Sequence, residues 1–309
     1  MNHFDSLVGI WRPITDGEKL FHFLATNVSE FNGLNQLLHN DFIGIMRGRD
    51  FARFVQGTMI LHCFGRVFQA AKWYRDENED QMKAVEQLNT FITDVLGIAK
   101  ATCKDFDNLA PLAMDAVAAS SASSSTPNSR VKTEVLEACN KQFNCYSCGI
   151  ELDPAAKFEI LDQTTGLPKK DDKTGKLLQN PHYLEHEHLW PHSFGGNSVA
   201  ENLLPACPFC NREKKNMASW EWSHVQATLP KFQLGAQYVE GPEVTKNIKI
   251  SLHIRAAIAY AVKNGTTLKD AYKSIGPRSK EVFMIDHYDT PDFFNLRVHD
   301  SQVTGIHWG

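Results

Sequence analysis

The sequence predicts an α+β chain in three unequal parts. A helical N-terminal segment comes first, a short strand–loop–strand–helix unit follows, and a mainly helical extension ends the chain. Three observations predict this. Apolar residues recur at helical spacing through much of residues 1–118. A small, polar run then breaks the pattern. Residues 145–211 next alternate extended runs with Gly and Pro turns, bracketed by two C-x-x-C pairs. At 309 residues the chain has room for about two domains.

From Met82, apolar positions at Val85, Leu88, Phe91, Ile92, Val95 and Ile98 predict a helix, with Asp80 as its cap. Phe51, Phe54, Val55, Ile60, Leu61, Phe64, Val67, Phe68 and Ala71 predict another before it. The acidic run Asp76–Asp80 reads as the turn between the two. These stripes read as a bundle core, and residues 1–118 form a helical domain for recognition or regulation. Residues 119–130, rich in Ala and Ser, cannot bury enough area to offset their ordering entropy and read as a flexible linker. Residues 131–143 predict a short helix, and Lys157–Leu161 a strand. Gly166, Pro168 and Gly175 predict an exposed hairpin excursion over 164–178. Tyr183–His188 reads as extended, and Pro191 with Gly195 and Gly196 forces a loop. Leu203–Leu204 is a return strand, and a helix starts at Asn211 and runs past Trp220 and Trp222. Beyond 226, residues 251–262 and 267–275 predict helices stopped by Asn264-Gly265 and Gly276-Pro277. A third helix is expected from Ser279 and an extended tail from Tyr288. This arrangement is compatible with a helix-turn-helix, though generic packing explains it equally well.

The bulk numbers constrain partners. Net charge is −4, and residues 1–118, 131–225 and 226–309 carry −4, −3 and +2. No segment is strongly basic, so contacts with nucleic acid would be local or substrate would be delivered. No apolar run approaches the ~18–20 residues of a membrane span, and the N-terminus lacks the pattern of a signal peptide. A cytoplasmic protein without a membrane partner is expected.

Seven cysteines are present. Cys145 and Cys148 form one C-x-x-C pair, Cys207 and Cys210 the other. Each pair can close half of a tetrahedral thiolate site, so a structural Zn2+ is expected that clamps the ends of the intervening fold. Cys63 and Cys103 read as small core residues and Cys139 as a free thiol.

Between the pairs lie Glu185-His186-Glu187-His188-Leu189-Trp190-Pro191, then Ser193, Gly195, Gly196, Asn202 and Leu203, with Asn211 directly after the last cysteine. A carboxylate is a good ligand for a hard cation, and a neutral imidazole is a good base near pH 7. A flat strand would send Glu187 and His188 to opposite faces, so their convergence needs a bend at the strand end. Asn211 can offer its amide oxygen to the same cation.

The pattern Glu187-His188-x-x-Pro191-x-Ser193-x-Gly195-Gly196, Asn202-Leu203, Cys207-x-x-Cys210-Asn211 resembles the HNH (ββα-metal) endonucleases of the subtype with a four-cysteine zinc frame. The intervals of 14 residues from His188 to Asn202 and 9 from Asn202 to Asn211 fit that family, over roughly residues 131–225. The resemblance implies a nuclease domain there and says nothing of the flanking segments, of which 226–309 reads from its own pattern as a mainly helical C-terminal extension. It implies His188 as general base, Glu187 and Asn211 as holders of one catalytic divalent cation, and Asn202 as the residue that fixes His188 through loop backbone. The family often has Asp or His before the base. Glu187 departs from that, so His186 is the alternative ligand. The cation would be Mg2+ or Mn2+, with Ni2+ or Zn2+ as alternatives. Arg212, Lys214 and Lys215 are candidates for phosphate contact.

The function implied is phosphodiester hydrolysis, in DNA before RNA, with proteins of a defence, restriction or recombination system as further partners. A helical domain joined by a linker to a non-basic nuclease suggests occlusion, so removal of 1–118 would be expected to raise cleavage. The competing reading is a non-catalytic zinc module that binds nucleic acid or protein.

Overall fold

The computed structural model describes residues 11–28, 49–140, 142–162, 164–214 and 216, and residues 250–278 except 251, 252, 255, 259 and 262. It is a mixed α+β fold in which helices flank a small antiparallel hairpin beside a four-cysteine cluster. Among the described residues no helix is long and apolar enough to cross a membrane.

Helix α1 (Asp16–Asn27) starts at a reciprocal cap: the Thr15 hydroxyl accepts the Glu18 amide, and the Glu18 carboxylate accepts the Thr15 amide. Helix α2 (Arg49–Glu77) is the long helix expected from the phenylalanine-rich stripe. Helix α3 (Gln81–Asp94) is capped by Asp80, which accepts the Met82 amide. Of the α3 stripe, Leu88 and Ile92 are buried, and so is Ile98 beyond the helix end, but Met82 and Val95 are exposed. The packed stripe is therefore narrower than the sequence suggests. Helix α4 (Leu109–Ala119) is the most deeply buried, with Leu109, Ala110, Ala113 and Ala116 at 0% exposure. Its alanines let it lie close against α1 and α2.

The expected linker over 119–130 is instead a hydrogen-bonded connection. Ala119 is the last residue of α4, and Ala122–Ser124 form a 3-10 turn. The Ser124 hydroxyl meets the carbonyls of Ala119 and Ser121 and the His192 ring. Asn128 then caps α5 (Ser129–Glu137) by accepting the Val131 amide. A serine run is flexible when its hydroxyls face only water, and here Ser124 faces the loop at His192 and Ser198 while Ser120, Ser121 and Ser125 bond locally.

Strand β1 (Glu185–His188) pairs antiparallel with β2 (Leu203–Ala206), Glu185 opposite Ala206 and His188 opposite Leu203. The expected strand at Lys157–Leu161 forms only isolated bridges, Glu159 to Gln179 and Leu161 to Pro168. The chain there turns at Asp162, which accepts the Thr164 and Thr165 amides, and at Gly166 with φ of 68°. Helix α6 (Pro208–Lys214) begins at its proline, three residues before Asn211 rather than at it. Its expected continuation through Trp220 and Trp222 lies outside the described residues, as do the helix from Ser279 and the tail from Tyr288. Described positions between 250 and 264 are helical. A turn at Gly265 leads to α7 (Leu268–Ile275), which ends at Gly276, as the Gly signals predict.

One apolar core joins helices α1 to α4 to Leu189, Trp190 and Leu204 of the hairpin unit and to Ala257, Ala261, Leu268 and Tyr272. A second, smaller cluster surrounds the cysteines with Leu152, Leu184 and Ala206. Cys63 and Cys103 lie in the larger core as expected. The Cys139 thiol faces the Val135 carbonyl and is not part of the four-cysteine cluster.

Candidate functional site

The sulfur atoms of Cys145, Cys148, Cys207 and Cys210 all lie within 4.8 Å of one another, with Cys148 and Cys207 3.8 Å apart. A tetrahedral ion with Zn–S bonds of ~2.3 Å holds its ligands about 3.8 Å apart, so the cluster has the size such an ion needs. Both pairs sit on turns that present sulfur inward. Cys145 donates its amide to Ile150, Gly149 (φ 81°) donates back to Cys145, and the Cys210 amide points at Cys207 sulfur. Hydrogen bonding from Cys148 and the other thiols drives Cys145 well below the usual thiol range. Cys207 and Cys210 are held well above it, chiefly by Cys145. Cys145 ionises readily, Cys148, raised by Cys145 and lowered more by Cys207 and Cys210, settles at about 7, and Cys207 and Cys210 need a cation to follow. The cluster can therefore bind a metal ion, and its all-sulfur donors fit zinc. Arg278 closes the outside of the cluster. Its guanidinium lies 3.3 Å from Cys210 sulfur and 3.0 Å from Glu213, and its amide donates to Ser147.

The apolar cluster around the four cysteines packs against β2 and α6, and the loop between the strands is held by Asn202. This residue is 2% exposed. Its carboxamide accepts the Trp190 amide at 2.8 Å and donates to the carbonyls of Trp190 and Asn197 at 3.0 and 3.1 Å. One side chain thus closes the turn that follows His188. Trp190 is buried below it against Trp11, Phe21 and Phe64, so it packs rather than offering a stacking face.

His188 Nε2 lies 2.9 Å from the Ser198 hydroxyl, and Ser198 donates its own proton to the Ser124 carbonyl at 2.6 Å. The serine oxygen must therefore accept from Nε2–H, which leaves Nδ1 as the nitrogen with a free lone pair in the neutral ring. Burial, aided by neighbouring His192, pushes the His188 pKa down to about 4. The imidazole is accordingly neutral at pH 7. Ser198 and Ser124 were not singled out from sequence. Both are common surface residues, and only folding brings them to the ring.

The carboxylates depart from expectation. Glu185 and Glu187 share one face of β1, since side chains alternate along a strand, and α6 lies against the strand. Because α6 starts at Pro208, Asn211 meets Glu185 and not Glu187: its amide donates to Glu185 at 2.7 Å. One helical turn later, Lys214 meets Glu187 at 2.8 Å and the His188 carbonyl at 2.7 Å. Glu187 and Lys214 side chains are each 4% exposed. Burial pushes the Glu187 carboxyl up, and Lys214 pulls it back down.

Lys214, expected on a phosphate-facing surface, is thus an interior cation. Arg212 is exposed, but its guanidinium is engaged by Glu185 at 3.3 Å, by Gln179 and by the Phe158 ring. Lys215 lies outside the described residues. His186, on the opposite face from Glu187, has a buried Nε2 without a hydrogen-bond partner among the described residues. Its ring is held by the Lys132 backbone, and burial lowers its pKa. His186, Glu185 and Asn211 line one cavity of about 480 Å³ that does not include Glu187. Among the described residues the four cysteines are the only group of three or more His, Cys, Asp or Glu placed to share a metal ion.

Comparison with protein-family models, with curated proteins and with solved structures finds no match to this chain.

Proposed function

We propose that the chain is a metal-dependent endonuclease that hydrolyses phosphodiester bonds in DNA, with residues 131–225 as a zinc-stapled unit of the HNH type. The observation that carries this reading is the Asn202-closed turn that fixes a neutral His188 with Nε2 committed to Ser198. That arrangement suits a general base: Nδ1 takes a proton from water, and the resulting hydroxide attacks phosphorus as the bond to the 3′ oxygen breaks. Asn202 and Ser198 hold the ring against rotation, and the buried Trp190 anchors the loop that carries them.

The donor chemistry also suits a hard cation. Two carboxylates share a strand face, and the Asn211 carboxamide already touches one of them. Glu185, Glu187 and Asn211 are the oxygen donors that would hold Mg2+ or Mn2+, Glu187 after release from Lys214. When bound, the cation neutralises the phosphate and the leaving oxygen.

A second reading has its own support. The Glu187–Lys214 pair leaves that carboxylate satisfied, as in a zinc-stapled module that binds without catalysis. Matched DNA and RNA duplexes incubated with the full chain and Mn2+ separate the two readings. We expect cleavage of DNA in preference to RNA. Its rate should fall with acid only as pH drops toward about 4, the value to which His188 is pushed, and not near the ordinary histidine value of ~6.5. No cleavage of either substrate would favour the binding module. Residues 1–118 would then recognise or regulate, and a role in defence or restriction is the biological setting we favour.

A further inference from the structure

We propose that the cavity beside β1 is a subsite for one unstacked nucleotide of the substrate strand, with Lys132 on its phosphate and Phe158 under its base. The proposal rests on the nuclease reading and names what lies next to the scissile bond. The cavity, about 480 Å³, falls within the ~300–1,000 Å³ typical of ligand pockets. It is lined by Lys132 of α5, by Phe158 and Tyr183 from the chain on either side of the 164–178 excursion, and by Glu185, His186 and Asn211 of the candidate site. Three elements distant in sequence therefore converge on it.

Each wall offers a different part of nucleotide chemistry. Phe158 and Tyr183 are half-buried and meet edge to face, centroids 5.4 Å apart. Arg212 lies over the Phe158 ring at 5.2 Å, a stacked cation and ring of the kind against which any base can pack. Lys132, half-buried, also lines the cavity and supplies a charge for phosphate. His186 adds a polar contact that points to a ligand. The Lys132 backbone holds its ring, and its buried Nε2 has no partner among the described residues. With the other ring nitrogen donating to that backbone, Nε2 is an acceptor suited to an exocyclic amine or a sugar hydroxyl. Of these residues only Arg212 belongs to the basic set on α6 where sequence alone places phosphate contact.

The test uses the full, zinc-loaded chain carrying His188→Ala, so that substrate is not consumed. Short fluorescein-labelled single strands of DNA and of RNA are titrated in Mg2+, with anisotropy as the readout. Lys132→Gln and Phe158→Leu are each expected to weaken binding about tenfold, while Lys83→Gln on α3 leaves it unchanged. In the catalytically intact chain the same two changes should raise KM and leave kcat in place. Loss on both strands assigns the contact to base and phosphate, and loss on RNA alone assigns it to the sugar. Unchanged affinity in Lys132→Gln and Phe158→Leu, with melting temperatures matching the parent, overturns the subsite, and so does failure of the parent to bind either strand. If the variants lose binding while the intact chain cleaves nothing, the subsite stands and the nuclease reading falls.

Discussion

At the residue scale, the decisive pair is Glu187 and Lys214. A carboxylate and an ammonium buried to 4% exposure are tolerable only together, because either alone would be an uncompensated interior charge. Lys214→Ala should therefore cost about 3–5 kcal/mol in denaturant unfolding. The double change Lys214→Met with Glu187→Leu should recover most of it. If the single change were neutral, the pair would not be closed as described. Asn202 and His188 were legible in the sequence through the resemblance to the HNH pattern, in which Pro191 and Gly195-Gly196 stand between them. The partner of each carboxylate was not. Glu185 and Glu187 occupy the same strand face, so the choice between them depends on where α6 begins, and that is set by Pro208 at the helix start rather than by Asn211. Lys214 looked like surface charge for the same reason.

At the element scale, the loop after β1 is held by α1 as much as by its own hairpin. Gly17 donates its amide to the Gly195 carbonyl at 2.9 Å, and the Asp16 amide donates to Asn197 at 2.8 Å. A Cβ on Gly17 would stand 1.9 Å from the Phe194 carbonyl oxygen and 2.3 Å from the Trp190 indole nitrogen. Gly17→Ala should thus destabilise the chain by about 1–3 kcal/mol, read as a lower denaturant midpoint, and should reduce any cleavage by shifting the turn that carries His188. An unaltered midpoint would mean that α1 and the loop are not in contact. The cysteine knuckles, hairpin strands and helix stops could be read from turn residues and spacing. Helix α4 was harder to see because its alanines merge into the serine run that follows, and only burial against α1 and α2 separates the two.

At the scale of the whole molecule, the helical segment and the hairpin unit share a core. Trp11, Phe21 and Phe64 surround Trp190, and Phe64 and Phe68 meet Phe194. This reverses the sign of one expectation. Composition suggested a helical cover over a tethered nuclease, whose removal would raise activity. Deleting residues 1–118 should instead expose Trp190, loosen the His188 turn and lower cleavage, with a red-shifted tryptophan emission. A truncated chain that melts cooperatively and cuts faster than the full one would restore the occlusion idea. Shared cores of this kind are hard to read from sequence, since apolar stripes reveal that a face is buried but not against what.

The most direct test is nicking of supercoiled plasmid in Mg2+ or Mn2+ by the zinc-loaded full chain, beside a His188→Ala chain of equal zinc content and melting temperature. Relaxed circles are expected from the first and at least about a hundredfold fewer from the second, the lower end of what one positioned base contributes. Equal nicking by both, or none by either, would contradict a nuclease with His188 as its base.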